Sequence, residues 1–266
     1  MQTTLNDKGF TLAELVVGLG ISLIAMTLIF TTFNTQRRTF ISQQQTAVMQ
    51  QNIRSAMSFI ENEVRMAGFE GFDTATLMKR NLDAGIITAS PNNFVFSADF
   101  DDDGALGADD TITYALTGNN LTRNGIVIAY DIEAMGFAYA FEDSADTDSN
   151  LEMSNNEIIW AVDLDNDGIL DRSLDTSGDG IVDINDAAGG RALSTMTDDD
   201  GDSLGNITID RVRAVRVWIL ARTHKALADF NDTRSYKVGD QVVYRNDGFR
   251  HNLLTSTIKC RNLGIL

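Results

Sequence analysis

The sequence predicts an α+β fold: a long N-terminal helix, apolar and then amphipathic, packed on a head built mainly from antiparallel β-sheet. Three observations carry that reading. Residues 15–30 contain no charged side chain and are dominated by Leu, Ile, Val, Met and Phe. Beyond them Met49, Ile53, Met57, Ile60, Val64 and Ala67 recur at steps of four and three, one apolar stripe on a helix. After Gly71 the pattern changes to short β-branched and aromatic runs bounded by turn residues.

The helix is expected over 10–67. Its first part, 10–33, is long enough to cross the hydrocarbon core of a bilayer, which takes roughly 20 residues at about 1.5 Å each. The amphipathic continuation, 34–67, starts rich in Gln and Thr and carries the stripe that would seat the head. Gly68 and Gly71 flank Phe69, and Gly68 is a natural left-handed cap. The single proline, Pro91, lies outside this stretch. In the head, 68–266, strands are expected at 93–98, 111–116, 126–130, 132–141, 158–162, 207–222, 241–245 and 253–261. Thr122-Arg123-Asn124-Gly125 ends in Asn-Gly, a favoured two-residue hairpin turn. Val215, Val217 and Ile219 give the 207–222 strand one fully aliphatic face. No strand, Gly-rich turn and helix follow one another as a nucleotide fold would need.

The formal charge is −17 and the pI near 4.3, which argues against nucleic acid as a general partner. The acid is concentrated: eighteen Asp or Glu face two Arg over 142–202, and six Asp face no base over 99–110. Residues 211–261 reverse this, with eleven Lys or Arg against four Asp. Cys260 is the only cysteine, so no intramolecular disulfide can form, and it reads as an inert strand or loop residue.

The start of the helix is the most specific motif. Lys8-Gly9-Phe10-Thr11-Leu12-Ala13-Glu14 places a small residue before an aromatic one and a single carboxylate five positions into an apolar segment. A cleaved secretory signal would need a basic start and a small-x-small site after the apolar run. Here Lys8 is balanced by Asp7, and no such site follows Phe33. A plain anchor leaves Glu14 unexplained, because a charge inside a bilayer costs ~2.5–3.5 kcal/mol on insertion scales and calls for a partner. The Gly-Phe-Thr-Leu-x-Glu run resembles the N-terminus of type IV prepilins. That resemblance implies removal of the leader, 1–9, between Gly9 and Phe10 by a prepilin peptidase. It further implies N-methylation of Phe10 and pairing of Glu14 with the free amine of a neighbouring subunit. The weakly basic leader, and Arg37 and Arg38 on the expected outer side, depart from a simple positive-inside pattern. Thr31 stands where many major pilins carry a helix-breaking proline, so this helix should melt less readily there.

A narrower resemblance comes from both ends of the chain. The helix end at 63–69, the strand 212–222 and the closing 254–263 are similar to the PilW family of minor pilins, itself similar to J-type pseudopilins of type II secretion. The resemblance implies a type IV pilin fold and a single-pass inner-membrane subunit with its head in the periplasm. Its partners would be the prepilin peptidase/N-methyltransferase, other minor and major pilins, and the inner-membrane assembly platform. Its role would be to prime or cap a pilus. The rivals are a pseudopilin of a type II secretion system and a tethered calcium-dependent adhesin or binding module.

The middle of the chain, 99–206, matches nothing family-wide and holds the candidate ligand chemistry. Asp163, Asp165, Asp167 and Asp171 supply oxygens at loop positions 1, 3, 5 and 9, with Gly168 at 6 and the Ile169 carbonyl at 7. Asp175, Ser177, Asp179, Ile181 and Asp183 repeat the spacing and add Asp186 at position 12. Asp99, Asp101, Asp103 and Asp110, with Gly104, form a looser third copy. Calcium takes six to eight hard oxygens, and such loops curl to supply them from alternate residues, so Ca2+ is the expected ion. Leu170 and Val182 place a hydrophobic residue at position 8 of each of the first two loops. The alternative is a solvated acidic loop, the reading given to 198–202. Enzymatic signatures are missing: His224 and His251 are the only histidines, neither in a paired-ligand spacing, and both read as surface or sheet residues.

Overall fold

The computed structural model describes residue 9 and residues 11–73, 78–142 and 150–264. The chain divides into two compact units, Met1–Gln45 and Thr46–Leu266. Helix α1, Leu12–Val64, runs through both. In the first unit it is regular and carries no break at Thr31. The hydroxyls of this apolar stretch are satisfied inside the helix: Ser22 donates to Gly18 O, Thr27 to Leu23 O, and Thr31 and Thr32 both to Leu28 O, at 2.8–2.9 Å.

In the second unit, Met49, Ile53, Met57, Ile60, Val64 and Ala67 are all buried, so the stripe is the face on which the head is built. The α-helix ends at Val64, three residues before the expected limit. A tighter turn follows, with the Met66 N–H on Glu63 O, and reaches Gly68 at φ +76. There the chain leaves the helix for the sheet: Gly68 N–H donates to Ser97 O and Asp99 N–H to Phe69 O.

Two antiparallel sheets make up most of the head. The first is a five-stranded meander of β1 (Ile86–Ala89), β2 (Asn93–Ser97), β3 (Thr111–Thr117), β4 (Asn120–Arg123) and β5 (Ile126–Tyr130) in that order. Asn124 and Gly125, at φ 49 and 78, form the expected hairpin turn, and Arg123 pairs with Ile126. Strand β6 (Ile132–Phe141) opens the second sheet. It precedes a small hairpin of β7 (Met153–Ser154) and β8 (Glu157–Ile158), and then β9 (Ala161–Val162), β10 (Arg172–Ser173) and β11 (Arg191–Ala192). Strand β12 (Val212–Arg222) is followed by the hairpin β13 (Ser235–Val238) and β14 (Gln241–Tyr244), and β15 (His251–Lys259) closes the chain's strands. The second sheet is ordered β11-β10-β9-β6-β12-β15. Strand β12 lies between β6 and β15, and Trp218, Ile219, Leu220 and Ala221 are buried without alternation, so both faces of the sheet are covered there.

Several boundaries differ from expectation. The 158–162 run is broken between β8 and β9, and 207–222 begins as a strand only at Val212, after a 3-10 turn over Ile209–Arg211. Strands β1, β4, β7, β10, β11 and β13 were not expected. β1 and β4 are short, four residues each, and β4 is the polar run Asn-Leu-Thr-Arg, whose strand character comes from its neighbours. An aromatic cluster of Phe94, Phe96, Phe137 and Tyr139 joins the two sheets, with ring centroids 5.1–5.6 Å from Phe94. Polar contacts fix the helix to the head: Arg123 Nε donates to Glu63 at 2.9 Å, the Tyr114 hydroxyl also meets Glu63, and Ser256 Oγ donates to Glu61.

Candidate functional site

Phe10 and the leader up to residue 8 lie outside the described residues; Gly9 is exposed. The next residues form a capping box, a feature present in the sequence as Thr11-x-x-Glu14 but not read there. The Thr11 N–H and hydroxyl both donate to Glu14 Oε2 at 2.9 Å, and the Glu14 N–H returns to Thr11 Oγ1 at 3.3 Å. The carboxylate expected to look only outward for its partner is thus aimed by its own chain. Its Oε2 closes the helix start. Beyond it, Leu15, Val16, Ile21, Met26, Ile29 and Phe33 are each more than half exposed. By length and composition this helix can cross a membrane.

The three aspartate loops share one internal wiring. In each, the first Asp accepts from the N–H of the glycine at position 6: Gly104 on Asp99 at 3.1 Å, Gly168 on Asp163 at 3.1 Å, Gly180 on Asp175 at 2.7 Å. Those glycines have φ of 85, 87 and 78, a left-handed bend that a side chain would strain. The Asp at position 5 accepts from the N–H at position 7, as Asp103 does from Ala105, Asp167 from Ile169 and Asp179 from Ile181. Leu170 and Val182, at position 8, are buried.

The copy expected to be looser is in strict register. Asp110 stands at position 12 and accepts from Phe100 and Gly107, at positions 2 and 9. Asp186 does the same with Thr176 and Asp183. The 163 loop has buried Leu174 at position 12, and Asp171 accepts the position-2 N–H from Leu164 at 2.7 Å instead.

The loops diverge in how their charge is balanced. Arg80 reaches into the 99–110 loop, 2.9 Å from Asp99 and 2.7 Å from Asp102, a partner that no spacing rule locates. At 175–186, buried Lys237 on β13 donates to Asp186 O and Ala187 O at 3.3 and 3.2 Å. Among the described residues, no ion pair reaches Asp163, Asp165, Asp167 or Asp171. Burial raises the Asp163 pKa, and the charges of Asp171 and Asp167 push it the same way against the Gly168 and Asn166 N–H groups. At Asp186 burial also opposes the charge, but the N–H groups of Asp183, Ser177 and Thr176 outweigh it and the pKa falls.

Coordinating atoms follow the same division. Carboxylate oxygens of Asp163, Asp165 and Asp171 lie within 4.8 Å of one another, as do those of Asp99, Asp101 and Asp110. Asp103 and Asp167 stand outside these trios. Among the described residues the 175–186 carboxylates form no such group. The donors of the 163 loop fit a hard divalent cation: oxygens only, close together, and without an ion-pair partner among the described residues.

Two readings need correction or completion. The 198–202 run is not simply solvated: Asp198 is buried and accepts from Gly201 and Asp202, while Asp199 binds the Asn155 and Asn156 N–H groups of the β7–β8 turn. His224 is exposed beside Asp131, whereas His251 is on β15 and buried between carboxylates. Cys260 is buried, which pushes its thiol up to about 12 and leaves it inert at neutral pH.

Residues 4–30 match the prokaryotic N-terminal methylation motif. That match supports a type IV pilin-type or pseudopilin-like protein; the motif implies prepilin processing in general, and with the apolar helix it suggests a membrane anchor. No curated protein and no solved structure matches the chain.

Proposed function

We propose that this chain is a minor pilin of the PilW type, cut between Gly9 and Phe10, N-methylated on Phe10, and assembled with other pilins through its apolar helix. The observation that carries the reading is the methylation motif over 4–30 running directly into an exposed apolar helix whose start is closed by Glu14. The head lies outside the inner membrane until the subunit is drawn into a filament. The retained carboxylate lets the subunit sit beneath another one, with Glu14 meeting that neighbour's amine. Peptide mass spectrometry of the mature protein tests this: a first residue of methyl-Phe10 is expected, and an intact Met1 or a cut beyond Phe33 overturns it. Normal incorporation of Glu14→Ala into filaments would count against the assembly role. A pseudopilin role in type II secretion shares all of these features, and filament incorporation in cells carrying only one of the two systems separates them.

The second reading, calcium binding by the head, is favoured by the Asp163–Asp165–Asp171 trio, which has no cation of its own among the described residues. Ca2+ would take these oxygens and relieve their repulsion. Calorimetry on the full chain in detergent should show EDTA-reversible heat and a raised melting temperature. No heat and no shift would leave the loops as hydrogen-bonded acidic turns.

A further inference from the structure

A second constellation lies where the hairpin β13–β14 meets the main sheet. His251 opens β15 with its side chain wholly buried. Its Nδ1 is 3.1 Å from Asp232 Oδ2. Asp232 is gripped by Arg234, at 2.8 Å to each oxygen, and by the Tyr236 hydroxyl at 2.8 Å. Arg234 above all holds its carboxyl well below the usual range, so it accepts only, and Nδ1 carries the proton. Nε2 is then the atom left to act.

Nε2 points at two carboxylates, 2.6 Å from Glu133 Oε2 and 3.9 Å from Asp247 Oδ2. Nε2 and Oε2 are both fully buried, yet neither has a hydrogen bond of acceptable geometry. The outer atom of each group is meanwhile held in place. Arg245 takes Glu133 Oε1 at 3.1 Å, the Phe249 N–H takes Asp247 Oδ1 at 3.0 Å, and Asp232 takes His251 Nδ1. One ligand atom from each of His251, Glu133 and Asp247 lies within 4.8 Å of the other two. A tetrahedral ion with bonds of about 2.0 Å wants ligand edges of about 3.3 Å, and the two measured separations bracket that value.

We propose that His251 Nε2, Glu133 Oε2 and Asp247 Oδ2 form a binding site for a divalent transition metal of the Zn2+ class, supported by Asp232, Arg245 and the Phe249 N–H. One nitrogen and two carboxylate oxygens suit that class better than calcium, which takes oxygen only. A carboxylate behind a ligating imidazole fixes its tautomer and raises its basicity, the arrangement Asp232 supplies. Three protein ligands leave a fourth position for water or another oxygen donor. The rival occupant is a proton. Burial opposes a charged His251, but Glu133 and Asp232 outweigh it and favour the imidazolium, so a metal must displace that proton. The site is independent of the filament role and of the aspartate loops.

The test is Zn2+ titration calorimetry on the full chain in detergent at about pH 8, with excess Ca2+ present to occupy the oxygen-only loops. One Zn2+ per chain is expected, with Co2+ giving a visible absorption spectrum in the same site. Asp247→Asn keeps the buried His251–Glu133 pair and should weaken Zn2+ by at least about 10-fold with the fold intact. His251→Gln should abolish binding. No uptake by the wild type, or unchanged affinity in a folded Asp247→Asn protein, overturns the proposal.

Discussion

Two adjoining loops, 163–174 and 175–186, begin with the same spacing and end in opposite electrostatic states. Each curls around a glycine at its sixth position and wires its first Asp to that glycine's N–H. In the second loop Asp186 turns both oxygens onto backbone N–H groups, and Lys237 closes the exit of the loop. In the first, that closing position is buried Leu174, and the acids cluster without a protein cation among the described residues. Asp110 makes the same position-12 bonds, so what separates the loops is the residue at that position together with the cation brought to it. The 99–110 loop is a third solution, completed by Arg80. An Asp-x-Asp-x-Asp-Gly pattern specifies a bend, and the closing residue decides what neutralises it.

The strongest way to break that comparison is to remove the cation that sets the 99–110 loop apart. Arg80→Met strips the fully buried Asp99 of its partner. Breaking a buried pair from one side costs about 3–5 kcal/mol, so denaturant unfolding in EDTA should show a loss of that order. Asp99, Asp101 and Asp110 would then resemble the 163 trio, and Ca2+ should restore part of the loss. A variant as stable as the wild type would mean that Arg80 is not what balances the loop.

Asp186→Asn probes the loop that completes itself. An amide keeps one accepting oxygen but turns its NH2 toward a backbone N–H, of Asp183 on one side or of Thr176 and Ser177 on the other. A buried donor without an acceptor costs about 1–3 kcal/mol. The loss should be the same in Ca2+ and in EDTA, because hydrogen bonds rather than an ion hold this loop. A loss seen only with Ca2+ would reverse the assignment of the two loops.

Much of the frame was legible because it rests on local rules. The stripe from Met49 to Ala67 follows helical spacing, and Asn124-Gly125 is a turn wherever two strands flank it. The loop bends were legible too, since glycine, Asp and spacing act within a dozen residues. What could not be read was every partner brought from afar. Arg80 is nineteen residues from Asp99, and Lys237 is about fifty from the carbonyls it meets. The His251 cluster draws on β6, β15 and the segments flanking β13–β14, with no periodicity linking them. Thr11 to Glu14 is different: the capping box lay in the sequence, masked by a motif that already explained the same glutamate.

The smallest effect on stability should be the most discriminating. Asp165 is exposed, and its one hydrogen bond among the described residues is a long one, from the Asp167 N–H at 3.3 Å. Asp165→Asn keeps an accepting oxygen and removes one charge from a trio of like charges. In EDTA, stability should therefore stay within about 0.5 kcal/mol of the wild type, with any change toward gain as repulsion is relieved. In Ca2+ the same substitution removes a ligand charge, and the calcium-dependent rise in melting temperature should shrink or vanish. A destabilised protein in EDTA would show that Asp165 holds the loop itself, as Asp186 holds its neighbour. An undiminished calcium response would place the ion elsewhere in the head.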